Sequence, residues 1–120
     1  MSEEQKPILF VPDIEDCLCI AVYDGDTITV EATPSQFKPS SIKYKWKVRL
    51  LGIDTPEIRS KDPGALESRD ALRRLILDKE IRLEIKKYGK YGRLIAIVKY
   101  NNMDVNQYMI DAGFAKPYLI

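Results

Sequence analysis

Polar and apolar residues alternate along much of this chain. In residues 27–33, Ile28, Val30 and Ala32 fall on one side, with Thr27, Thr29, Glu31 and Thr33 on the other. A period of two predicts a half-buried strand. Residues 44–53 repeat it, Tyr44, Trp46, Val48 and Leu50 opposing Lys43, Lys45, Lys47 and Arg49. Residues 80–87 do so again, with Ile81, Leu83 and Ile85 inward and Arg82, Glu84 and Lys86 outward. Further strands are predicted over 17–23, an apolar run, and over 93–100. Between the third and fourth strands the period changes. Over 64–77, Ala65, Leu72, Leu75 and Ile76 share one face and Arg69, Asp70, Arg73 and Arg74 the other, which predicts an amphipathic helix.

The breaks have their own chemistry. Asp24-Gly25 reads as a hairpin turn, because glycine accepts positive φ. Pro34, Pro39 and neighbouring serines mark a loop over 34–42, and residues 58–63 and 88–92 read as a charged loop and a turn. Asn101-Asn102 turns again, and Asp104 is expected to cap a short last helix ending near Gly113. Residues 1–16 read as an N-terminal arm, and 17–120 as one domain. The arm's apolar island, Ile8 to Val11, lies between Pro7 and Pro12, which keep it extended. It is expected to pack across the domain, along a strand edge. Periodicity alone supports a mixed, β-rich domain.

Composition narrows the chemistry. The 120 residues suffice for one core without staples. With no histidine, His-based acid–base chemistry, the usual serine triad and most catalytic zinc sites are excluded. The two cysteines, Cys17 and Cys19, suit core positions on one strand face. The net charge of +1 makes no case for a nucleic-acid partner, so such a case rests on local placement. No basic, apolar leader opens the sequence and no apolar run is long enough to span a bilayer, so the expected location is intracellular, without membrane partners.

Three motifs gather charged residues of complementary kinds: Asp24-Gly25-Asp26-Thr27, then Arg49 with Asp54-Thr55-Pro56-Glu57, then Tyr91-Gly92-Arg93. Two aspartates suit a hard cation, a further carboxylate can act on water, and two guanidiniums can clamp a phosphate. Standing alone, Asp26 and Asp54 could merely cap turns and Glu57 could be a surface residue. Asp24 reads first as the turn residue, and otherwise as a group behind the site. The alternation that carries Lys43, Lys45 and Lys47 suits a solvated edge strand, preferred slightly over a nucleic-acid-facing one.

These motifs, in this order and with a helix-like stretch between the second and third, resemble the thermonuclease, or staphylococcal-nuclease-like, family over residues 17–116. The resemblance implies a mainly β domain with helices (α+β): an OB-fold, five-stranded Greek-key barrel with a helix between strands 3 and 4 and a short C-terminal helix. It implies Asp26, Asp54 and the Thr55 carbonyl as Ca²⁺ ligands, Glu57 as the residue that activates or orients water, and Arg49 and Arg93 as phosphate contacts. The implied reaction is calcium-dependent endonuclease cleavage of single-stranded or frayed DNA and RNA, leaving 3′-phosphate and 5′-hydroxyl ends, by a monomer. Tyr91 and Tyr118 are possible stackers on base or sugar, packing being an equal reading for Tyr118. The near-repeat Tyr88-Gly89-Lys90-Tyr91-Gly92-Arg93 leaves Lys90 as a second, weaker phosphate candidate. Compared with the best-known members, the loop after Glu57 is shorter, the 34–42 connection is longer and their C-terminal helix has no counterpart here. The alternative function is a non-catalytic single-stranded nucleic-acid-binding OB module.

Overall fold

The computed structural model describes residues 10–118. In chain order the elements are β1 (Asp16–Asp24), β2 (Thr27–Ala32), β3 (Tyr44–Leu50), β4 (Ile53–Asp54), α1 (Pro63–Ile76), β5 (Glu80–Tyr88), β6 (Leu94–Tyr100), β7 (Met103–Asp104), α2 (Val105–Asp111) and β8 (Lys116–Pro117). The long strands β1, β2, β3, β5 and β6 pair antiparallel in the order β3-β2-β1-β5-β6. A parallel pairing of β3 with β6, Val48 against Leu94 and Leu50 against Ala96, closes them into a five-stranded barrel of the OB type. The helix between the third and fourth long strands stands where the sequence predicts it.

The inward residues of the alternating strands fill the barrel: Cys19, Ile28, Val30, Val48, Leu50, Leu83, Leu94, Ala96 and Val98 are all buried, joined by Leu72 and Ile76 from α1 and Val105 and Met109 from α2. Burial of each large side chain stabilises by about 1.5–3 kcal/mol. Both cysteines are free. Burial is the main cause that pushes the Cys17 thiol up to about 12 and the Cys19 thiol up to about 11. Among the described residues no helix is long and apolar enough to cross a membrane.

Three expectations are corrected. The single strand expected over 44–53 is two, because Gly52 turns at φ 83° and sends β4 away from β3 to pair with β8. The turn glycine of the first motif is not in a positive-φ conformation; among glycines only Gly52, Gly92 and Gly113 are. What demands glycine at position 25 is space, since a Cβ there would stand 2.7 Å from the Ser68 Cβ and 3.0 Å from the Thr55 Cγ2. The third correction concerns the arm, which lies against the 34–42 connection. Phe10 stacks on Phe37 at 5.3 Å, and Gln36 both donates to the Val11 carbonyl and accepts from the Asp13 amide, each at 2.9 Å. Ile14 enters the core. Ile8 and Leu9, the first half of the expected island, lie outside the described residues.

Candidate active site

Helix α1 seats the first motif. Asp62 caps its N-terminus by accepting from the Gly64 amide at 2.8 Å, and Pro63 opens its first turn. From its far half, Arg73 donates through Nε and Nη2 to the Val22 carbonyl, at 3.2 and 3.0 Å. There the β1–β2 register slips, so that Asp24 rather than Tyr23 faces Thr27. Five residues back along the helix, Ser68 lies directly under Gly25 and donates to the Phe114 carbonyl at 2.5 Å. The hairpin tip thus rests on the helix, and Asp24 and Asp26 are both buried.

Asp26 is the hub. Its Oδ2 accepts from the Thr55 amide at 3.0 Å and pairs with Arg49 Nη1 at 3.2 Å, while Oδ1 accepts from the Thr27 hydroxyl at 3.0 Å. Arg49 also donates to the Ile53 carbonyl at 3.1 Å and reaches Asp54 Oδ1 at 3.5 Å. One guanidinium therefore touches both aspartates, one from the β1–β2 hairpin and the other from β4. Asp26 and Arg49 are well shielded from solvent, whereas Asp54 is 57% exposed. The β2–β3 register explains the meeting: Thr27 is opposite Arg49, so Asp26 sits one step beyond the last rung.

Asp24 is not simply the turn residue expected from the sequence. Its carboxylate accepts from the Ile58 amide at 3.0 Å and so ties the first motif to the segment carrying Glu57. Burial raises its pKa, the Ile58 hydrogen bond opposes that rise, and the nearby charges of Asp26 and Glu57 add to it. Glu57 itself is 62% exposed and pairs with Arg59 at 3.1 Å.

Arg93 has extended backbone at φ −85° and ψ 138° just ahead of β6. Leu94 points inward, so Arg93 falls on the outer side with Ile95, the register partner of Arg49. The two arginines share one face of the closed seam. Tyr91, at φ 64° on the turn before Arg93, is 90% exposed and packs into nothing. Tyr118 lays its ring 5.6 Å from the Arg49 guanidinium carbon, and its amide donates to the Gly52 carbonyl at 2.8 Å. This stacking on Arg49 is worth about 0.5–1 kcal/mol at an exposed position. The Lys90 side chain lies outside what the structure describes.

The donor set fits a hard cation in kind. The Asp26 and Asp54 carboxylates and the Thr55 carbonyl would offer oxygen, and the buried Thr55 Oγ1 has no hydrogen-bond partner. Among the described residues no three His, Cys, Asp or Glu side chains cluster, so a cation here would complete its shell with carbonyl, water and phosphate oxygens.

Several supporting residues went unnoticed in the sequence. Ser68 sits on the buried face of α1, a small polar residue four positions before Leu72. Asn106, buried on α2, donates to the Leu51 and Ala96 carbonyls at 2.8 and 3.1 Å and accepts from the Val98 amide at 3.0 Å, which pins the β3–β4 corner. An asparagine beside Val105 in the first turn of an apolar helix face was the available signal. Arg73 falls on the polar face of the predicted helix, and nothing in the periodicity shows its reach to Val22.

Comparison with known proteins agrees with this geometry. The model of the family described as staphylococcal nuclease homologue matches residues 47–120. An uncharacterized endonuclease of Haemophilus influenzae is 34% identical over 102 residues, covering 85% of this chain and 52% of that protein. A probable staphylococcal-like nuclease, CAN3, of Oryza sativa is 34% identical over 71 residues, 59% of this chain and 18% of that protein. The probable endonuclease LCL3 of Colletotrichum graminicola is 38% identical over 79 residues, 59% of this chain and 29% of that protein. The chain thus spans about half the length of the Haemophilus relative, and less of the other two. With the match over more than half its length, on a closed five-stranded barrel, the chain belongs to the staphylococcal nuclease family.

Proposed function

We propose that this domain is a cation-dependent endonuclease that hydrolyses phosphodiester bonds of single-stranded or frayed DNA and RNA. The observation that carries the reading is the arrangement at Arg49: one guanidinium against both Asp26 and Asp54, with Arg93 on the same face. The names of the relatives, two of them endonucleases, support it.

In this reading Asp26, Asp54 and the Thr55 carbonyl would hold Ca²⁺, which supplies charge neutralisation at a phosphoryl oxygen when bound. Arg49 and Arg93 bind the scissile phosphate and stabilise the charge that grows on its oxygens. Glu57 orients a water and accepts its proton as the water oxygen bonds to phosphorus. The bond from phosphorus to the 5′ oxygen breaks, and solvent water protonates the departing alkoxide, leaving 3′-phosphate and 5′-hydroxyl ends. Arginine keeps its own proton near neutral pH and does not serve as that acid. Tyr91 is exposed for stacking on a base, and Tyr118 steadies Arg49.

A second reading, a barrel that binds single strands without cutting, draws support from Glu57, whose carboxylate is engaged by Arg59. A gel assay on single-stranded DNA with Ca²⁺, Mg²⁺ or EDTA separates the two. Cleavage in Ca²⁺, weaker in Mg²⁺ with its stricter shell, and none in EDTA is the expected result. Binding without cleavage under all three conditions leaves the second reading, and undiminished cutting in EDTA removes the cation from the first.

A further inference from the structure

The outer face of β3 carries charge that the site does not use. Along the strand Trp46, Val48 and Leu50 turn inward, which leaves Lys45, Lys47 and Arg49 side by side on the outside. Lys43, also exposed, stands one residue ahead of the strand. Elsewhere on the domain some outward cations have partners, Arg82 with Asp16, Lys86 and Lys99 with Glu84, and Arg69 with Asp70, while others such as Lys61 and Lys87 stand singly among the described residues; the β3 lysines differ in standing in a row. Among the described residues no ion pair neutralises Lys43, Lys45 or Lys47, although Glu31 is the register partner of Lys45. With a whole-chain net charge of +1, this stripe is a local concentration and not part of a general excess.

Its position is as telling as its sign. The row leads straight into Arg49. Carrying the β3–β6 register one step past Val48 and Leu94 sets Arg93 beside Lys47. Alternate side chains on a strand stand roughly 7 Å apart, so Lys47 and Lys45 continue the arginine pair at a spacing a nucleic-acid backbone can follow. The aromatic residues on the other side are already engaged: Trp46 Nε1 donates to the Ala32 carbonyl at 3.2 Å, and Tyr44 packs edge-on against Phe37. The outer face therefore offers charge without stacking platforms.

We propose that Lys47, Lys45 and Lys43 form a phosphate track that holds the nucleic-acid strand next to the scissile phosphate, independent of base sequence. This rests on the nuclease reading and adds a subsite to it. The track sets the length of strand the domain prefers and the salt dependence of its binding. Each single-strand phosphate contact contributes a slope of about 0.7 in log K against log salt.

The test uses the full chain, with Lys43→Gln, Lys45→Gln and Lys47→Gln combined, and a second variant with arginine at the three positions. Binding of labelled oligothymidylates of about 2 and about 12 nucleotides is followed by anisotropy in Ca²⁺ on a Glu57→Gln background. Cleavage of both lengths is followed without that substitution. The glutamine variant is expected to bind the longer strand about ten-fold more weakly, with a salt slope lower by about 2, and the arginine variant to restore both. Binding and cleavage of the dinucleotide stay at the parental level. An unchanged slope, or equal weakening on both lengths, overturns the track. Self-association of the glutamine variant as its only change overturns it in favour of edge protection. A parent that neither binds nor cuts either strand overturns the nuclease reading itself, and the track with it.

Discussion

Asp26 and Glu57 are carboxylates of one site in opposite physical states. Asp26 is buried and engaged by a main-chain amide, a hydroxyl and a guanidinium drawn from three segments. Glu57 is mostly exposed, on a loop, and among the described residues its carboxylate pairs with the still more exposed Arg59. The first is held by the fold, so its geometry exists before any ligand arrives. The second depends on a surface ion pair, typically worth 0–1 kcal/mol, which substrate can displace at little cost. The floor of the site is therefore preorganised, and in the proposed nuclease its rim, where Glu57 would handle water, is free to adjust on binding. Disturbing the floor should cost stability and activity together; disturbing the rim should cost activity alone.

The largest effect is expected from Asp26→Asn. Arg49 would lose its buried partner, and breaking such a pair costs about 3 kcal/mol. Denaturant unfolding should register that loss, and cleavage should fall with it. Parental stability in this variant would show that the Asp26–Arg49 pair contributes nothing net, and the contrast with Glu57 would collapse.

Glu57→Gln should slow cleavage by roughly 10²–10⁴-fold, the usual share of general acid–base catalysis. Its melting temperature should stay close to the parental value, because what is disturbed is a surface pair with Arg59 and a repulsion of Asp24 that is not among the largest causes of its shift. A variant that melts early would place Glu57 on the structural side of the comparison; one that cuts at the parental rate would remove it from the chemistry.

Gly25→Ala tests the floor from beneath. The added methyl meets the Ser68 Cβ at 2.7 Å, and overpacking of this kind costs about 1–3 kcal/mol. On a Ser68→Gly background the same substitution should cost less in a thermal melt, though still something, because the Thr55 Cγ2 remains 3.0 Å away. An equal cost on both backgrounds would show that the Ser68 contact is not what excludes alanine at position 25.

The smallest effect is a control far from the site. The hydrogen bond from Lys99, 2.6 Å away, lowers the Glu84 pKa. A lowered carboxylate stabilises the fold above its ordinary pKa, and that contribution disappears as pH falls through the lowered value. The melting-temperature gap between the parent and Glu84→Gln should therefore be small but present above the ordinary glutamate pKa and vanish as pH falls below the lowered one. A gap that widens on acidification has the wrong sign for this pair.

Period-two alternation and the helical stretch were enough to place five strands and one helix in order, because each inward side chain gains by burial wherever its strand ends up. The caps at Asp104 and the turn at Asn101-Asn102 were equally legible, since their chemistry is local. The charged residues of the three motifs could be singled out by type and family order. Their partners could not. That Asp26 would take up the Thr55 amide, that Asp24 would reach Ile58, and that Arg49 would stand between two aspartates are contacts across 23 to 34 positions or across a corner that Gly52 makes. Such contacts follow from barrel closure and strand register, in which one step exchanges inside for outside. Residue type and spacing thus settle which side chains go in and which chemistry is available. The tertiary structure decided which carboxylate is buried and held and which is left at the rim, because burial of a charge depends on what the rest of the chain brings to meet it.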